Sequence, residues 1–423
     1  MLALGIDIGT SGVRSAVLDE SGTLLSSSRS PHLLQVAGDV QAEYWWASVR
    51  DCLAHTIDAL HEAKLNPRDI EVLAVDGTSG SMVLVDATIC PVTPALMYNS
   101  SGFDAEAELI RRHGPANHIT QGSNSALARL IRLQSYDMSG SANFLCHQAD
   151  FVMARLTGVA GFSDHNNALK TGYDPQCESW PDWLEAAGVR TDLLPRVLPP
   201  GRAVRQIDAK VAEEFGLAHD LVVKAGTTDS IAAYLATGAS EIGTAVTSLG
   251  TTLAVKMLSP ARIEDPSIGL YSHKLGDAWI AGGASNSGGG VLLRFFDEAQ
   301  LRSLSGLIDP SRETDLDYYP LLRPGERFPT NDPDMLPRIT PRPEDDVHFL
   351  HGLLQGIARI ESQGYKALER MGGGAVQRVL TVGGGAGNET WRLIREREIR
   401  VPVETAPRDQ ASIGAALLAL RKD

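Results

Sequence analysis

The chain has 423 residues, of which 43% are hydrophobic and 21% charged, and this length and balance suit a globular protein of two domains of roughly 200 residues each. A net charge of −14 with no Lys/Arg run excludes a nucleic-acid or anionic-membrane surface, but not a nucleotide held locally by backbone amides. Cys52, Cys90, Cys146 and Cys177 are scattered and form no C-x-x-C, which disfavours structural zinc and reads as reduced thiols.

The first element is an apolar strand from Leu2 to Ile8 with Asp7 inside it, followed by the turn Gly9-Thr10-Ser11-Gly12 and a second strand from Val13. A tight turn with two glycines exposes backbone N–H groups, so it can wrap a phosphate with a carboxylate beside it; it reads equally as an ordinary hairpin. Leu24–Ser28 is a third strand, and Gln41 leads a helix to about Leu65 with Val49, Leu53, Ile57 and Leu60 at helical spacing. Ile70–Asp76 and Met82–Asp86 are strands around the small turn Gly77-Thr78-Ser79-Gly80. Helices follow at Phe103–His113, before Asp137 and at Gln148–Leu156, and the stretch Ser163–Asp174 reads as a polar loop. Leu221–Thr228 is a strand that passes through Asp229 into a helix.

A second half opens at Gly243 with a strand, Gly250-Thr251-Thr252 and another strand, a pattern that echoes the N-terminal hairpin as a weak internal repeat. Beyond it come the cluster Gly282–Gly290, an irregular surface over 311–342 and a long helix at Phe349–Met371. A strand over Val376–Val382 then ends in Gly383-Gly384-Gly385-Ala386-Gly387-Asn388; a helix at Trp391–Arg395, a strand at Val401–Val403 and a small-residue helix at Gln410–Leu420 complete the chain. Strands alternate with helices, which argues α/β, and the tight hairpins make each sheet mixed. The chain enters a strand too early for a signal peptide, and no apolar run approaches the ~20 residues that span a bilayer. A cytoplasmic location is expected.

There is no Walker A sequence, G-x-G-x-x-G, H-E-x-x-H or G-x-S-x-G, so the P-loop, dinucleotide, zinc-protease and serine-hydrolase readings lose their support. What remains is distributed: two Gly-Thr hairpins, Asp76 and Asp229 at strand ends, and two Gly-rich turns. Phosphoryl transfer needs such parts, namely an amide-lined phosphate cradle, a magnesium ion and a carboxylate that orients the nucleophile. Each also has a plainer reading, Asp229 as a helix cap, Asp76 and Ser79 as parts of a capped turn, and Gly383–Asn388 as a strand–helix connection.

Taken in order, Gly5–Gly12, Gly226–Ser230, Ser248–Thr251 and Gly383–Asn388 resemble the carbohydrate kinases of the FGGY family across the whole chain. The resemblance implies two ribonuclease-H-like (actin/hexokinase-type) α/β domains with a catalytic cleft between them. Residues 1–238 would form the sugar-binding domain, joined by a C-terminal helix at 409–423, and 239–408 the ATP-binding domain. It implies Asp229 as catalytic base, and Asp7, Asp76, Ser79, Asp164, His165 and Asp229 at the sugar, with Asp7 also near Mg²⁺. Thr10, Ser11, Gly250, Thr251, Gly283, Gly384, Gly385 and Asn388 would hold ATP. Sugar and ATP would be its partners, with no nucleic acid and no membrane. One departure is plain: many members carry a Lys-hydrophobic-x-Trp helix where this chain reads Arg129-Leu130-Ile131-Arg132.

The turn Val75–Gly80 lacks the Ser-Gly-Gln-Met-His-Gly of xylulose kinases and the Asn-Gln-Arg-Glu of glycerol kinases. With Ala168–Tyr173, it is most similar to the compact D-ribulose kinases of cyanobacteria and plant organelles, which implies D-ribulose 5-phosphate as product. Kinases for xylulose, L-ribulose or erythritol are the enzyme alternatives. A nucleotide-binding scaffold of the actin type is the non-enzymatic one; it leaves Asp76 and Ser79 without a task and expects an appended peptide-binding domain, which is not expected after Asp423.

Overall fold

The computed structural model describes residues 1–32 and 41–422. The chain divides into two compact units, Met1–Ala236 with Gln410–Asp423, and Thr237–Asp409.

The first unit begins with β1 (Leu2–Ile8), β2 (Gly12–Asp19), β3 (Leu24–Pro31) and α1 (Ala42–Glu62), then β4 (Ile70–Gly77) and β5 (Met82–Val85). Next come α2 (Asp104–His113), α3 (Ala126–Tyr136), β6 (Phe144–His147), α4 (Gln148–Thr157), β7 (Phe162–Asp164), α5 (His165–Lys170) and α6 (Trp183–Ala186). The run closes with β8 (Arg196–Leu198), β9 (Ala203–Gln206), α7 (Ala209–Phe215), β10 (Val222–Thr228) and α8 (Asp229–Ala236). Its main sheet has the order β3-β2-β1-β4-β10-β9. β1 runs antiparallel to β2 and parallel to β4, and β4 runs parallel to β10. Strands covered on both faces read as near-continuous apolar runs, as Leu2–Ile8 does apart from Asp7. Trp45, Val49 and Leu53 of α1 form part of the core with Val13, Val17 and Leu73.

The second unit holds β11 (Thr244–Leu249), β12 (Leu253–Ser259), β13 (Tyr271–Leu275), β14 (Ala278–Ser285), α9 (Gly289–Leu293) and α10 (Glu298–Ser305), then α11 (Asp346–Leu368), β15 (Arg378–Val382), α12 (Glu389–Ile399) and β16 (Val403–Thr405). Its sheet order is β13-β14-β12-β11-β15-β16. Five of these six strands, β14-β12-β11-β15-β16, repeat the order and directions of β3-β2-β1-β4-β10: two antiparallel pairings, then two parallel ones. The echo between the two hairpins therefore extends to a whole sheet topology.

The last helix, α13 (Ala411–Leu420), belongs to the first unit and packs on α8, β1 and β4; Asp423 lies outside the described residues. A Cβ at Gly5 would stand 2.0 Å from the Ser412 carbonyl oxygen, so the small-residue surface of α13 lets helix and strand backbones touch.

Three local expectations change. The stretch predicted as a polar loop is β7 and α5, with Ser163, Asp164, Asn166 and Asn167 all buried. The irregular segment 311–342 is not all surface, since Tyr318, Leu321 and Phe328 are buried and Glu326 accepts bonds from Ser285 Oγ and the Asn286 and Arg327 N–H groups at 2.6–2.8 Å. The final strand starts at Val403 rather than Val401: Pro402 has no N–H and enters the ladder only as acceptor from Val379 N–H at 2.9 Å. Among the described residues, no helix is long and apolar enough to cross a membrane.

Candidate functional site

In the first unit, β1, β4 and β10 run parallel and end side by side, the edge at which α/β sheets gather ligands. Asp7 and Asp76 are register partners on β1 and β4, Thr227 of β10 pairs with Asp76, and Asp229 follows as the first residue of α8. Arg14, opposite Asp7 on β2, places Nη1 3.2 Å from Asp7 Oδ2. Asp76 is fully buried, and no N–H or hydroxyl among the described residues reaches its oxygens. Burial, then the charges of Asp7 and Asp229, then a hydrogen bond to Asp7 push its carboxyl well above the usual range, because three neighbouring carboxylates cannot all ionise in a dry site. Burial raises Asp7 as well, opposed by the hydrogen bond with Asp76 and by the Arg14 charge. Asp229 Oδ1 accepts the Ser230 N–H at 2.6 Å.

The Gly9–Gly12 turn is closed by the Gly9 N–H donating to Gly12 O at 3.0 Å, and His32 Nε2 lies 2.7 Å from Gly9 O. Thr10 and Ser11 are exposed on it, with Thr10 Oγ1 3.4 Å from the Tyr98 hydroxyl. In the turn after β4, Gln148 Oε1 accepts the Thr78 N–H at 2.9 Å and the Thr78 hydroxyl at 2.7 Å. Ser79 Oγ, in the same turn, is buried with no partner among the described residues, as are Thr228 Oγ1 and Asn166 Oδ1.

Asp164 caps α5: Oδ1 accepts the Asn166 and Asn167 N–H groups at 2.8 and 3.1 Å, and Oδ2 accepts Asn167 Nδ2 at 2.6 Å. Burial and the charge of Asp150 push its carboxyl up to about 7. Both oxygens are thus taken by α5 itself. His165 stacks on Tyr173, ring centroids 5.9 Å apart, while Asn166 Nδ2 donates to Thr227 Oγ1 at 3.0 Å and so joins α5 to the strand that carries Asp229. Sequence reasoning passed over Asn166, Gln148, Thr228 and Arg14. An Arg opposite an Asp across a two-glycine hairpin was the one local signal available.

The second unit contains a cavity of about 710 Å³. Gly250, Thr251, Gly384, Gly385 and Asn388 line it together with Leu292, Leu301 and Ser305. The first two come from the β11–β12 turn, which Gly289 and Gly290 back by donating to Gly250 O and Thr251 O at 2.8 and 3.1 Å. Gly288 has φ +146, and a Cβ there would lie 2.6 Å from the Thr252 carbonyl carbon, so that approach needs glycine. Asn388 caps α12 by accepting the Trp391 N–H at 3.0 Å, and its Nδ2 donates to Ser305 Oγ at 2.9 Å. Gly283 is not among the residues lining this cavity. It lies within β14, where a Cβ would be 2.6 Å from the Phe328 ring, so its small size serves packing there.

Among the described residues, no three His, Cys, Asp or Glu side chains converge as a metal site. Magnesium held by one or two carboxylates plus substrate phosphates and water does not need such a group, and the buried Asp7 carboxylate beside the Gly9–Gly12 turn suits that donor set.

Residues 2–236 match the N-terminal domain model of the FGGY family of carbohydrate kinases, and residues 245–422 match its C-terminal domain model. The chain is 24% identical over 445 residues to xylulose kinase from Escherichia coli, covering 98% of this chain and 89% of that protein. It is 21% identical to gluconokinase from Bacillus subtilis, covering 99% and 86%. The solved structure of xylulose kinase from Rhodospirillum rubrum superposes with a TM-score of 0.84 at 21% identity, over 99% of this chain and 89% of that one; at such identity the likeness concerns the fold.

Proposed function

The chain belongs to the FGGY family of carbohydrate kinases, and on that premise we propose that it transfers the γ-phosphoryl group of ATP to a primary hydroxyl of a ketopentose, D-ribulose, to give D-ribulose 5-phosphate. The observation that carries this reading is the carboxylate cluster Asp7–Asp76–Asp229 at the ends of three parallel strands. In it Asp229 is the base. As the sugar oxygen attacks the γ-phosphorus, its proton passes to Asp229, the bond from γ-phosphorus to the β-phosphate oxygen breaks, and ADP leaves.

Asp7, Asp76 and the buried Ser79 hydroxyl hold the sugar, which supplies partners that the Asp76 and Ser79 oxygens lack among the described residues. The upward shift of the Asp76 carboxyl favours its protonated form, which can donate where an ionised carboxylate can only accept. ATP occupies the cavity bounded by Gly250, Thr251, Gly384, Gly385 and Asn388, with its base against Leu292 and Leu301 and its phosphate oxygens at the backbone amides of the Gly250–Thr252 turn. Asp7 would hold Mg²⁺, which would supply neutralisation of phosphate charge.

The acceptor follows from the Asp76-Gly77-Thr78-Ser79 turn, which differs from the xylulose-kinase pattern. A second reading, D-xylulose, draws support from the names of the relatives. The test is ADP release with D-ribulose, D-xylulose, L-ribulose, erythritol, gluconate and no sugar. Strong stimulation by D-ribulose supports the proposal, strong stimulation by D-xylulose replaces the acceptor, and no stimulation by any of them sinks the kinase reading.

A further inference from the structure

We propose that Arg129 is a positioning residue for the acceptor, a buried clamp that sets where the Ser79 hydroxyl stands; this rests on the reading of the Ser79 turn as part of the sugar site. Arg129 lies on α3 and is 3% exposed. Its Nη1 donates to Gly80 O at 2.9 Å, and its Nη2 donates to Asn124 O at 2.7 Å and to Tyr98 O. One guanidinium thus joins three separate segments.

Its helix neighbour Arg132 is conventionally paired, with Nε 2.5 Å from Glu106. Arg129 has no carboxylate partner among the described residues, and burial alone brings its guanidinium down to about 10, so it stays charged at neutral pH. A buried cation without a counter-ion costs several kcal/mol before its hydrogen bonds offset the loss. If Arg129 only filled space, an aliphatic side chain would do so more cheaply.

The geometry explains why the charge is kept. Next to Ser79, Gly80 has φ +87, and a Cβ there would come within 2.8 Å of Arg129 Nη1, so turn and guanidinium fit only with glycine. On the other side Gln148 holds Thr78, its own N–H donates to Ser81 O at 2.9 Å, and the Tyr98 N–H donates to Ser81 Oγ at 2.9 Å. Ser79 therefore sits between two fixed neighbours while its own oxygen has no partner among the described residues. Tyr98, fixed through its carbonyl by Arg129, carries the hydroxyl that reaches Thr10 in the first glycine turn. The clamp thereby ties the Ser79 turn to the Gly9–Gly12 turn. A planar fork with several donors can bridge three carbonyls, and a lysine ammonium on a flexible stem does so poorly.

The experiment uses the full chain with Arg129→Met, Arg129→Lys and Ser79→Ala, and the sugar that best stimulates ADP release. Arg129→Met should raise the KM for sugar about tenfold or more, as displacement of a contact by about an ångström does. In the same variant kcat should stay within about threefold and the ADP dissociation constant within about twofold of the parent. Arg129→Lys should recover part of the loss. A folded Arg129→Met with unchanged sugar KM overturns the proposal, and so does a KM rise matched by an equal loss of ADP affinity. If the Met variant does not fold, the Lys variant is judged by the same measures. Ser79→Ala separates the layers: an unchanged sugar KM there overturns the reading of the turn itself, whereas a raised one beside an unaffected Arg129→Met overturns only the clamp.

Discussion

Asp7 and Asp76 occupy one rung of two neighbouring parallel strands, and burial pushes both carboxyls above the ordinary range. Asp76→Asn keeps a donor of the same shape facing Asp7 and removes one of three crowded acids. Its thermal midpoint should match or exceed the parent's, and sugar turnover should survive within about tenfold. Asp76→Ala leaves Asp7 without that donor and opens a cavity, and should fall below the Asn variant in both measurements.

Asp229→Asn should lower kcat for sugar phosphorylation by about 10²–10⁴-fold, the range set by loss of a general base. ADP affinity should be unchanged, since the cavity lies in the other unit. Near-parental turnover would move the base elsewhere.

Asp164 gives a pH prediction. Its folded pKa of about 7 lies above the unfolded value near 4, so between pH 4 and 7 the folded state holds a proton that the unfolded state has lost. Stability due to this group therefore falls as pH rises through that window and stays low above it. Asp164→Asn keeps an acceptor for the α5 N–H groups without the charge. The variant should flatten the slope of thermal midpoint against pH from 4 to 7, and at pH 8 it should be at least as stable as the parent. An unaltered slope would show that Asp164 is ionised throughout.

Gly283→Ala should act on packing alone. The new methyl group meets the Phe328 ring at 2.6 Å, an overpacking that costs about 1–3 kcal/mol. Chemical denaturation should register that loss, while the ADP dissociation constant holds.

Glu361 and Arg395 form a buried ion pair in the second unit, Arg395 donating to both Glu361 oxygens at 2.6 and 2.7 Å and to Thr381 Oγ1 at 2.8 Å. Arg395→Met strands a buried carboxylate and should destabilise by about 3–5 kcal/mol. Glu361→Leu with Arg395→Met removes both charges, and denaturation should find the double variant more stable than Arg395→Met alone.

The sequence by itself determined the local devices of this protein. The Gly9–Gly12 and Gly250–Thr252 hairpins, the strand that runs into Asp229 and the Gly383–Asn388 turn were legible because glycine tolerance and strand or helix periodicity act over a few neighbouring residues. Composition misled where polar groups satisfy one another: Asp164, Asn166 and Asn167 read as a solvated loop, yet they are buried through bonds within α5 and to Thr227. Gly283 looked like its neighbours in a glycine cluster, and only the tertiary structure shows the Phe328 ring packed against it.

What tertiary structure alone decided is the company that each side chain keeps. Strand order sets Asp76 between Asp7 and Thr227, and burial there pushes the carboxyl of a residue that sequence presents as an ordinary anion well above its usual range. Likewise, Arg129 marked a departure from the family pattern until the fold carried the distant carbonyls of Gly80 and Tyr98, beside the nearby one of Asn124, to its guanidinium. Charge state and partnership depend on dielectric and distance, and neither is set until the chain has closed on itself.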